Sequence, residues 1–130
     1  MKNIRKEIAG YMSDLKQTKQ GGLIARFVFP EDFIGFQGHF PENKILPGVC
    51  QIQCIIIMLE KWGKKNIVLK EIVLAKFLSS IFPSEELTCE CNGIKESSGV
   101  FTLKAYCRKN DEKVAELKLK VCFEGEIKEK

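Results

Sequence analysis

One segment of the chain, from about Gly48 to Trp62, is apolar on nearly every side. Its apolar members include Val49, Ile52, Ile55, Ile56, Ile57, Met58 and Leu59. The β-branched content alone would also suit a buried strand, but the length of the segment and the glycine after Trp62 favour a helix. A helix with so little polar surface has no face to present to water. The segment therefore predicts a fold in which other structure surrounds one central helix.

The chain on either side of this helix carries strand patterns. Residues 67–78 form a long strand candidate, and residues 23–29 alternate between apolar and polar side chains. Three later segments, 87–91, 101–107 and 115–123, also alternate and predict an antiparallel meander with one buried face. Several long antiparallel strands can cover one apolar helix only by curling around it. These patterns predict an α+β fold with an antiparallel sheet wrapped around a central buried helix.

The N-terminal segment predicts a further helix, over about 2–18. Its apolar residues recur at the spacing of a helix face, at Ile4, Ile8, Met12 and Leu15. Two consecutive glycines, Gly21 and Gly22, end this pattern. The 130 residues suit one domain, and we expect a single domain over 1–130 that includes this helix.

Composition excludes several classes of partner. The formal net charge is +4, too small and too scattered for the basic footprint of a nucleic-acid-binding protein. The longest apolar run, 54–59, is far too short to cross a bilayer, and the first residues lack the apolar core of a secretory leader. We therefore expect no nucleic-acid or membrane partner and a cytoplasmic location, with the six cysteines reduced.

The cysteines raise the question of a metal site. Cys50 and Cys54 lie one helical turn apart, a spacing that can bind metal, but the chain has only one histidine and no complete zinc site is evident. Cys89 and Cys91 alternate with polar residues on one predicted strand, so we expect them to pack in the core. The sequence therefore predicts no bound metal.

The only histidine lies in a short motif, Gly38-His39-Phe40-Pro41, and Pro47-Gly48-Val49 follows six residues later. A third segment, 76–83, reads Lys-Phe-Leu-Ser-Ser-Ile-Phe-Pro. These segments, at this separation, resemble the FabZ/FabA-type 3-hydroxyacyl-[acyl carrier protein] dehydratases. The sequence of residues 47–52 is closer to that of the aryl-polyene-type branch of the family than to that of housekeeping FabZ. The resemblance implies the hotdog fold, in which an antiparallel sheet wraps around a central helix.

The resemblance also implies an activity, the dehydration of 3-hydroxyacyl thioesters to trans-2-enoyl thioesters in fatty-acid, lipid or polyene biosynthesis. The substrate would be carried on the phosphopantetheine arm of acyl carrier protein, and no other cofactor is implied. The positive net charge is compatible with an acidic carrier as partner. Because the hotdog dehydratase site is built across a dimer, the resemblance further implies a homodimer or higher homo-oligomer.

The resemblance assigns roles to three residues. His39 would be the base, since a neutral imidazole accepts a proton near physiological pH. The backbone amide of Gly48, at a helix N-terminus, would polarise the thioester carbonyl. Gln53 stands at the family's acid position and would hold the departing hydroxyl in place.

A further set of residues is predicted to contact the acyl chain: Phe36, Phe40, Pro47, Val49 and Ile57. An aromatic loop and an apolar helix can line an acyl tunnel. The same side chains can equally form a shared core and dimer interface, and both interpretations stay open from the sequence.

Gln53 also leaves alternatives to an active homodimer. Glutamine has no titratable proton, and general-acid help is worth about 10²–10⁴-fold in rate. The chain could be a slow dehydratase, or a catalytically impaired acyl-binding subunit of a heterodimer in which a second dehydratase-like chain supplies the acid. A hotdog acyl thioesterase is a third possibility, although that chemistry usually needs a carboxylate or a strong nucleophile in the pocket, and the sequence shows none.

Overall fold

The computed structural model describes residues 2–36 and 44–125. The helices are α1 (Lys2–Gly10) and α2 (Gly48–Gly63), and a short 3₁₀ turn lies at Ile34–Phe36. The strands are β1 (Met12–Gln17), β2 (Leu23–Val28), β3 (Ile67–Phe77), β4 (Glu86–Ser97), β5 (Val100–Lys109) and β6 (Glu112–Phe123). The predicted central helix, the long strand after it and the three-strand meander are confirmed. Neither helix in this described part of the chain has the length and apolarity needed to cross a bilayer.

The strands form one sheet in the order β1-β2-β4-β5-β6-β3, and every neighbouring pair is antiparallel. The central helix α2 packs against β2, β3 and β4. Half of its 16 residues are buried, including the whole run from Ile55 to Met58. These buried residues join the inward side chains of the sheet in one hydrophobic core. The arrangement is the hotdog fold, so the predicted α+β architecture is confirmed.

The predicted N-terminal helix over about 2–18 is wrong in its second half. The helix ends at Gly10, and Tyr11 closes a tight turn by donating its N–H to the Ile8 carbonyl at 3.0 Å. Residues 12–17 then form β1 and pair with β2. Glycine ends the helix readily because it loses the most conformational freedom on becoming helical.

A bulge in β1 explains why the spacing of the apolar residues in this segment matches that of a helix. The pairing of β1 shifts register between Ser13 and Lys16, and Asp14 inside the bulge adopts a left-handed φ of 57°. The extra residue leaves Met12 and Leu15 partly buried, while the other four residues of β1 are exposed. Two apolar residues three positions apart therefore share one side of a strand, as they would on a helix.

The two ends of α2 are finished differently. Pro47 precedes the helix in an extended conformation, with φ −63° and ψ 148°, and contributes no side-chain cap. At the other end, Lys64 adopts a left-handed φ of 57° and donates its N–H to the Glu60 carbonyl at 2.8 Å. The Glu60 carboxylate accepts hydrogen bonds from Arg5 and from the N–H of Ile67, which ties α1, α2 and β3 together. Among the described residues, the chain therefore closes the C-terminal end of the helix and not its N-terminal end.

A group of cysteine thiols fills part of the core. Cys89 and Cys107 lie opposite each other on β4 and β5, with their sulfur atoms 3.6 Å apart. They and Cys54 of α2 are fully buried, and burial raises the pKa of Cys54 and of Cys89. The predicted core packing of Cys89 and Cys91 is confirmed. Within 2–36 and 44–125, no group of three or more histidine, cysteine or acidic side chains is placed to hold a metal ion.

Candidate functional site

A cavity of about 390 Å³ opens at the N-terminal end of α2. Its lining comes from the start of this helix and from the end of β3 with the loop after it: Ile45, Leu46, Pro47, Gly48, Gln51, Phe77, Leu78, Ser79 and Ser80. We call it the N-terminal cavity. None of these lining residues carries a carboxylate. Its volume falls within the range of about 300–1,000 Å³ that is typical of small-molecule sites.

Backbone hydrogen bonds fix both walls of the N-terminal cavity. On the helix side, the N–H of Leu46 donates to the Ile81 carbonyl at 2.8 Å, and the Leu46 side chain is buried. On the sheet side, the N–H of Leu78 donates to the Val114 carbonyl at 2.8 Å. The first of these bonds joins the two walls directly. The cavity is therefore bounded by backbone that the sheet and the core hold in place.

The first N–H groups of α2 supply oriented donors at this cavity. Those of Cys50 and Gln51 donate to the Pro47 carbonyl, at 3.0 and 3.4 Å. Those of Gly48 and Val49 have no partner within the helix, because the carbonyl groups four residues before them lie outside it. No side chain of the described chain caps this end. The donors and the positive end of the helix dipole can therefore stabilise an oxygen that carries negative charge.

The close approach of the Phe77 ring leaves no room for a side chain at Gly48. A Cβ atom built on Gly48 would lie 2.6 Å from Cζ of the Phe77 ring, closer than real side chains approach. Phe77 ends β3 and remains 46% exposed, so its ring covers the start of the helix while one part still faces solvent. The sequence places Phe77 in a motif segment, but nothing local to that segment indicates that it meets Gly48.

Gln51 is a site residue that the sequence reasoning missed. Its side chain is only 2% exposed, it lines the N-terminal cavity, and its Oε1 has no hydrogen-bond partner among the described residues. An unpaired buried acceptor costs about 1–3 kcal/mol, so such a group favours a bound donor. One signal was available in the sequence, since a glutamine inside an otherwise apolar helix needs a partner.

The predicted acid-position residue, Gln53, lies on a different face of α2 from Gln51. Two residues along a helix turn the side chain by about 200°. Gln53 is partly buried, its Oε1 also lacks a partner in the described chain, and it does not line the N-terminal cavity. It shares its face with Val49, which is 63% exposed, and with Ile57, which is buried. This face runs from solvent into the core.

The remaining predicted site residues divide into three groups. Pro47 lines the N-terminal cavity beside Gly48. Phe36 is buried in the core and packs edge-on against Phe33, with ring centroids 5.6 Å apart. His39 and Phe40 lie outside the described residues, so their proposed roles stay predictions.

The thiols of α2 are poorly suited to nucleophilic chemistry. Burial raises the pKa of Cys50 to about 11, and it also raises the pKa of Cys54, the neighbour of Gln53 in the sequence. The thiolate is the nucleophilic form of cysteine, so both side chains are protonated and unreactive near neutral pH. Neither thiol is therefore a good candidate for a nucleophile.

One edge of the sheet continues directly from the N-terminal cavity. β3 is an edge strand, bonded to β6 on one side only within the described chain. It and the following residue carry large apolar side chains that are between 36 and 57% exposed: Ile72, Val73, Leu74, Phe77 and Leu78. An exposed apolar edge strand readily pairs with another chain. We call this surface the β3 edge.

Comparison with known families decides where the chain belongs. The model of the family described as ApeI-like, ApeI dehydratase, matches residues 15–118. The chain belongs to the ApeI-like dehydratase family. The match contains both walls of the N-terminal cavity and the histidine motif, so the resemblance found in the sequence is confirmed.

Relatives of this ApeI-like chain agree with that assignment. A 3-hydroxyacyl-[acyl-carrier-protein] dehydratase FabZ from Pediococcus pentosaceus is 28% identical over 116 residues, 84% of this chain and 76% of the relative. A chain of the dehydratase heterocomplex ApeI:P from Xenorhabdus doucetiae has a TM-score of 0.69 at 22% identity, covering 85% of this chain and 96% of that one. The Escherichia coli PaaI protein of the phenylacetic acid degradation operon has a TM-score of 0.67 at 12% identity, covering 92% and 88%. The two structures share the hotdog fold with this chain.

Proposed function

We propose that this chain dehydrates 3-hydroxyacyl thioesters, carried on the phosphopantetheine arm of acyl carrier protein, to trans-2-enoyl thioesters. One observation carries the proposal: the N-terminus of α2, which no described side chain caps, opens onto the same cavity as the buried Oε1 of Gln51, which has no hydrogen-bond partner among the described residues. The helix end suits a thioester carbonyl oxygen, and the Gln51 Oε1 suits a hydroxyl or amide donor. A 3-hydroxyacyl thioester on phosphopantetheine offers all of these groups.

The proposed chemistry needs no further cofactor. His39 takes a proton from Cα, the double bond to Cβ forms, and the bond from Cβ to the hydroxyl oxygen breaks. The N–H groups of Gly48 and Val49 stabilise the negative charge that develops on the thioester oxygen. The hydroxyl leaves as water with one proton. Since Gln53 has no proton to give, the His39 imidazolium returns the proton that it took, and the base ends neutral.

We also propose that the β3 edge pairs with a second chain. Phe77 belongs both to this edge and to the N-terminal cavity, so an interface there would be continuous with the site. Burial of the exposed apolar side chains favours such an assembly. A second copy of this chain would give a homodimer, and a related chain would give a heterodimer like the ApeI:P heterocomplex among its structural neighbours.

The proposed activity can be tested with purified protein and 3-hydroxyacyl carriers of several chain lengths. Mass spectrometry of the carrier would follow the loss of water from the acyl group. We expect turnover in the unchanged protein and a loss of about 10²–10⁴-fold in His39→Ala. Lys104→Ala, on an exposed position of β5, is the matched control and should keep its activity. Equal turnover in the His39→Ala variant and the control would contradict the role of His39.

Gln53 favours a second candidate function, that of an acyl-binding subunit whose partner chain supplies the acid. In that case the purified chain alone would bind the acyl carrier but convert little substrate. Gln53→Glu would then raise turnover of the homodimer by about tenfold or more, because it adds a titratable proton. Native mass spectrometry of the chain expressed with a related chain would show whether unequal pairs form. A homodimer that is fully active with Gln53 and gains nothing from Gln53→Glu would exclude this candidate.

A thioesterase function has less support. The described residues that line the N-terminal cavity include no carboxylate, and burial raises the pKa of the neighbouring thiols of Cys50 and Cys54. We therefore expect no release of free thiol from acyl-coenzyme A, which a colorimetric thiol assay would measure.

A further inference from the structure

The buried amide of Gln51 lies one helical turn after the start of α2. Gln51 follows Pro47 by four residues and Gly48 by three, and all three line the N-terminal cavity. Residues at these spacings share one face of a helix, and helical side chains lean towards its N-terminus. The Gln51 amide is therefore directed towards the first turn, where the N–H groups of Gly48 and Val49 have no partner within the helix.

A ligand that meets both sets of groups needs an acceptor and a donor close together. A rise of about 1.5 Å per residue places Gln51 about 4.5 Å along the helix axis from Gly48. The helix N–H groups require an accepting oxygen, whereas the Oε1 of Gln51, which has no partner among the described residues, requires a donor. In a 3-hydroxyacyl thioester, a single carbon separates the carbonyl carbon from the carbon that carries the hydroxyl. One acyl group therefore offers both.

Burial favours the hydroxyl over an amide of the phosphopantetheine arm as that donor. Gln51 is only 2% exposed, whereas Ser79 and Ser80, on the other wall of the cavity, remain partly exposed. The arm must lead out to the carrier protein, which is too large to enter a cavity of about 390 Å³. The arm therefore belongs towards the exposed serines, and the acyl carbons beyond the thioester belong towards Gln51.

Gln53, to which the family resemblance assigns the hydroxyl, is less well placed to hold it. It lies about 200° around the helix from Gln51 and does not line the N-terminal cavity, although its Oε1 also lacks a partner in the described chain. Of the two glutamines, Gln51 is therefore the one that shares a cavity with the first N–H groups of α2.

We propose that Gln51 determines substrate specificity: its Oε1 accepts a hydrogen bond from the 3-hydroxyl of the acyl group. The site therefore selects 3-hydroxyacyl thioesters over acyl thioesters without this hydroxyl, because the buried acceptor stays unpaired when the hydroxyl is missing. The enoyl product also lacks the hydroxyl, so the same contact favours its release. This inference rests on the proposed function, from which it takes its ligand.

Stable ligands separate this contact from dehydration. The octanoyl and 3-hydroxyoctanoyl amides of aminopantetheine differ only in the hydroxyl, and the amide in place of the thioester makes the proton at Cα far less acidic, so neither is turned over. Isothermal titration calorimetry with the unchanged full-length protein would measure the Kd of each ligand. We expect the hydroxylated ligand to bind about tenfold more tightly.

Three glutamine-to-methionine variants locate the contact. Gln51→Met removes the acceptor and should bind the two ligands with nearly equal Kd. Gln53→Met makes the same change on the other face of the helix and should keep the preference for the hydroxylated ligand. Gln20→Met, in the exposed turn between β1 and β2, is the matched control and should also keep it. Circular dichroism of each variant would establish that it is folded.

Two results would overturn the proposal. The first is equal binding of the two ligands by the unchanged protein, a result that does not depend on the folding of any variant. The second is a preference that Gln51→Met keeps or that Gln53→Met removes. The carrier dehydration assay tests the proposed activity separately. Turnover without any preference would contradict the Gln51 contact alone, whereas a preference that Gln51→Met removes, in a protein without turnover, would support the contact and contradict the activity.

Discussion

At its N-terminal end α2 begins without a side-chain cap from the described residues, beside the buried amide oxygen of Gln51, whereas its C-terminal end closes on itself and meets a second cavity of about 200 Å³ with a mostly apolar lining that includes Trp62 and Phe123. The first end offers donors and an acceptor with fixed directions. The second offers apolar surface, which favours an apolar group without fixing the direction of a reacting bond. Only the N-terminal cavity therefore has the oriented groups that stabilise a developing charge.

The difference follows from how the chain enters and leaves the helix. Proline has no N–H and holds the backbone extended before Gly48, and no side chain of the described residues caps the first turn of α2. After Gly63 the chain reverses through the left-handed Lys64, whose N–H satisfies a helix carbonyl. A buried helix can thus have one end whose first N–H groups are open to a ligand and one end that the chain closes. Substitutions at the two ends should therefore change different measured properties.

The largest effect that we predict at the N-terminal end comes from Gly48→Ala. The new methyl group would lie 2.6 Å from the Phe77 ring, so the ring or the helix start must move. A displacement of about 1 Å at a site of this kind costs about 10²-fold in rate, and we expect that loss in the carrier dehydration assay. The circular dichroism spectrum should stay that of the folded protein.

A second substitution separates steric displacement from a general loss of folding. Phe77→Leu removes the ring that the methyl group meets, so the double variant should recover a large part of the activity lost in Gly48→Ala. If Gly48→Ala lost the circular dichroism spectrum of the folded protein, or if the double variant recovered no activity, the contact between Gly48 and Phe77 would not explain the loss.

A smaller effect is expected from Gln51→Met, which keeps the length of the side chain and removes its unpaired oxygen. Replacing an unsatisfied buried acceptor by an apolar group should stabilise the free protein by about 1 kcal/mol. The same change should raise KM for the acyl carrier substrate about tenfold, because the substrate loses its acceptor. Urea unfolding and steady-state kinetics would measure the two effects.

This pair of effects distinguishes a binding role for Gln51 from a structural one. A glutamine that merely supported the helix would make the protein less stable when replaced. Lys104→Ala, at an exposed position of β5, provides the control, since it should leave both the stability and KM for the carrier substrate unchanged. Loss of stability in Gln51→Met without a change in KM would contradict the binding role.

The sequence was sufficient to predict the architecture because its periodic patterns are local. The apolar run of α2 and the alternation along β4, β5 and β6 each indicate an element without reference to the rest of the chain. The same rule failed at β1, where a bulge gave Met12 and Leu15 a helical spacing. A bulge depends on the partner strand, and the spacing of residues within one segment does not reveal it.

The site was predictable only where a motif marks it. Pro47 and Gly48 were found from the resemblance, and both line the N-terminal cavity. Gln51 was missed because the family motif marks the acid position two residues later, which lies on another face of the helix. The contact between Gly48 and Phe77 joins segments far apart in the chain, and only the folded sheet brings them together.

The smallest predicted effect concerns two buried thiols, one on α2 and one on β4. Burial raises the pKa of each of these thiols to about 11. Cys50 lies in the first turn of α2, and Cys91 lies on β4, where it is paired with Leu23 of β2. Both values stand above the ordinary thiol value of 9.0. The folded state therefore keeps protons that the unfolded state loses as the pH rises above 9.0. Each thiol contributes stability that is fully present below that pH and declines as the pH rises towards 11.

We expect each thiol to account for a loss of about 1 kcal/mol in the free energy of unfolding by about pH 10. Urea unfolding between about pH 8 and pH 10 would measure the decline, and comparison with variants would separate these thiols from other titrating groups. Cys50→Ala and Cys91→Ala should each be less stable at neutral pH, because each leaves a small void, but each should show a shallower decline with pH. An equally steep decline in both variants and the unchanged protein would mean that these thiols titrate alike in the folded and unfolded states, against the burial of both side chains.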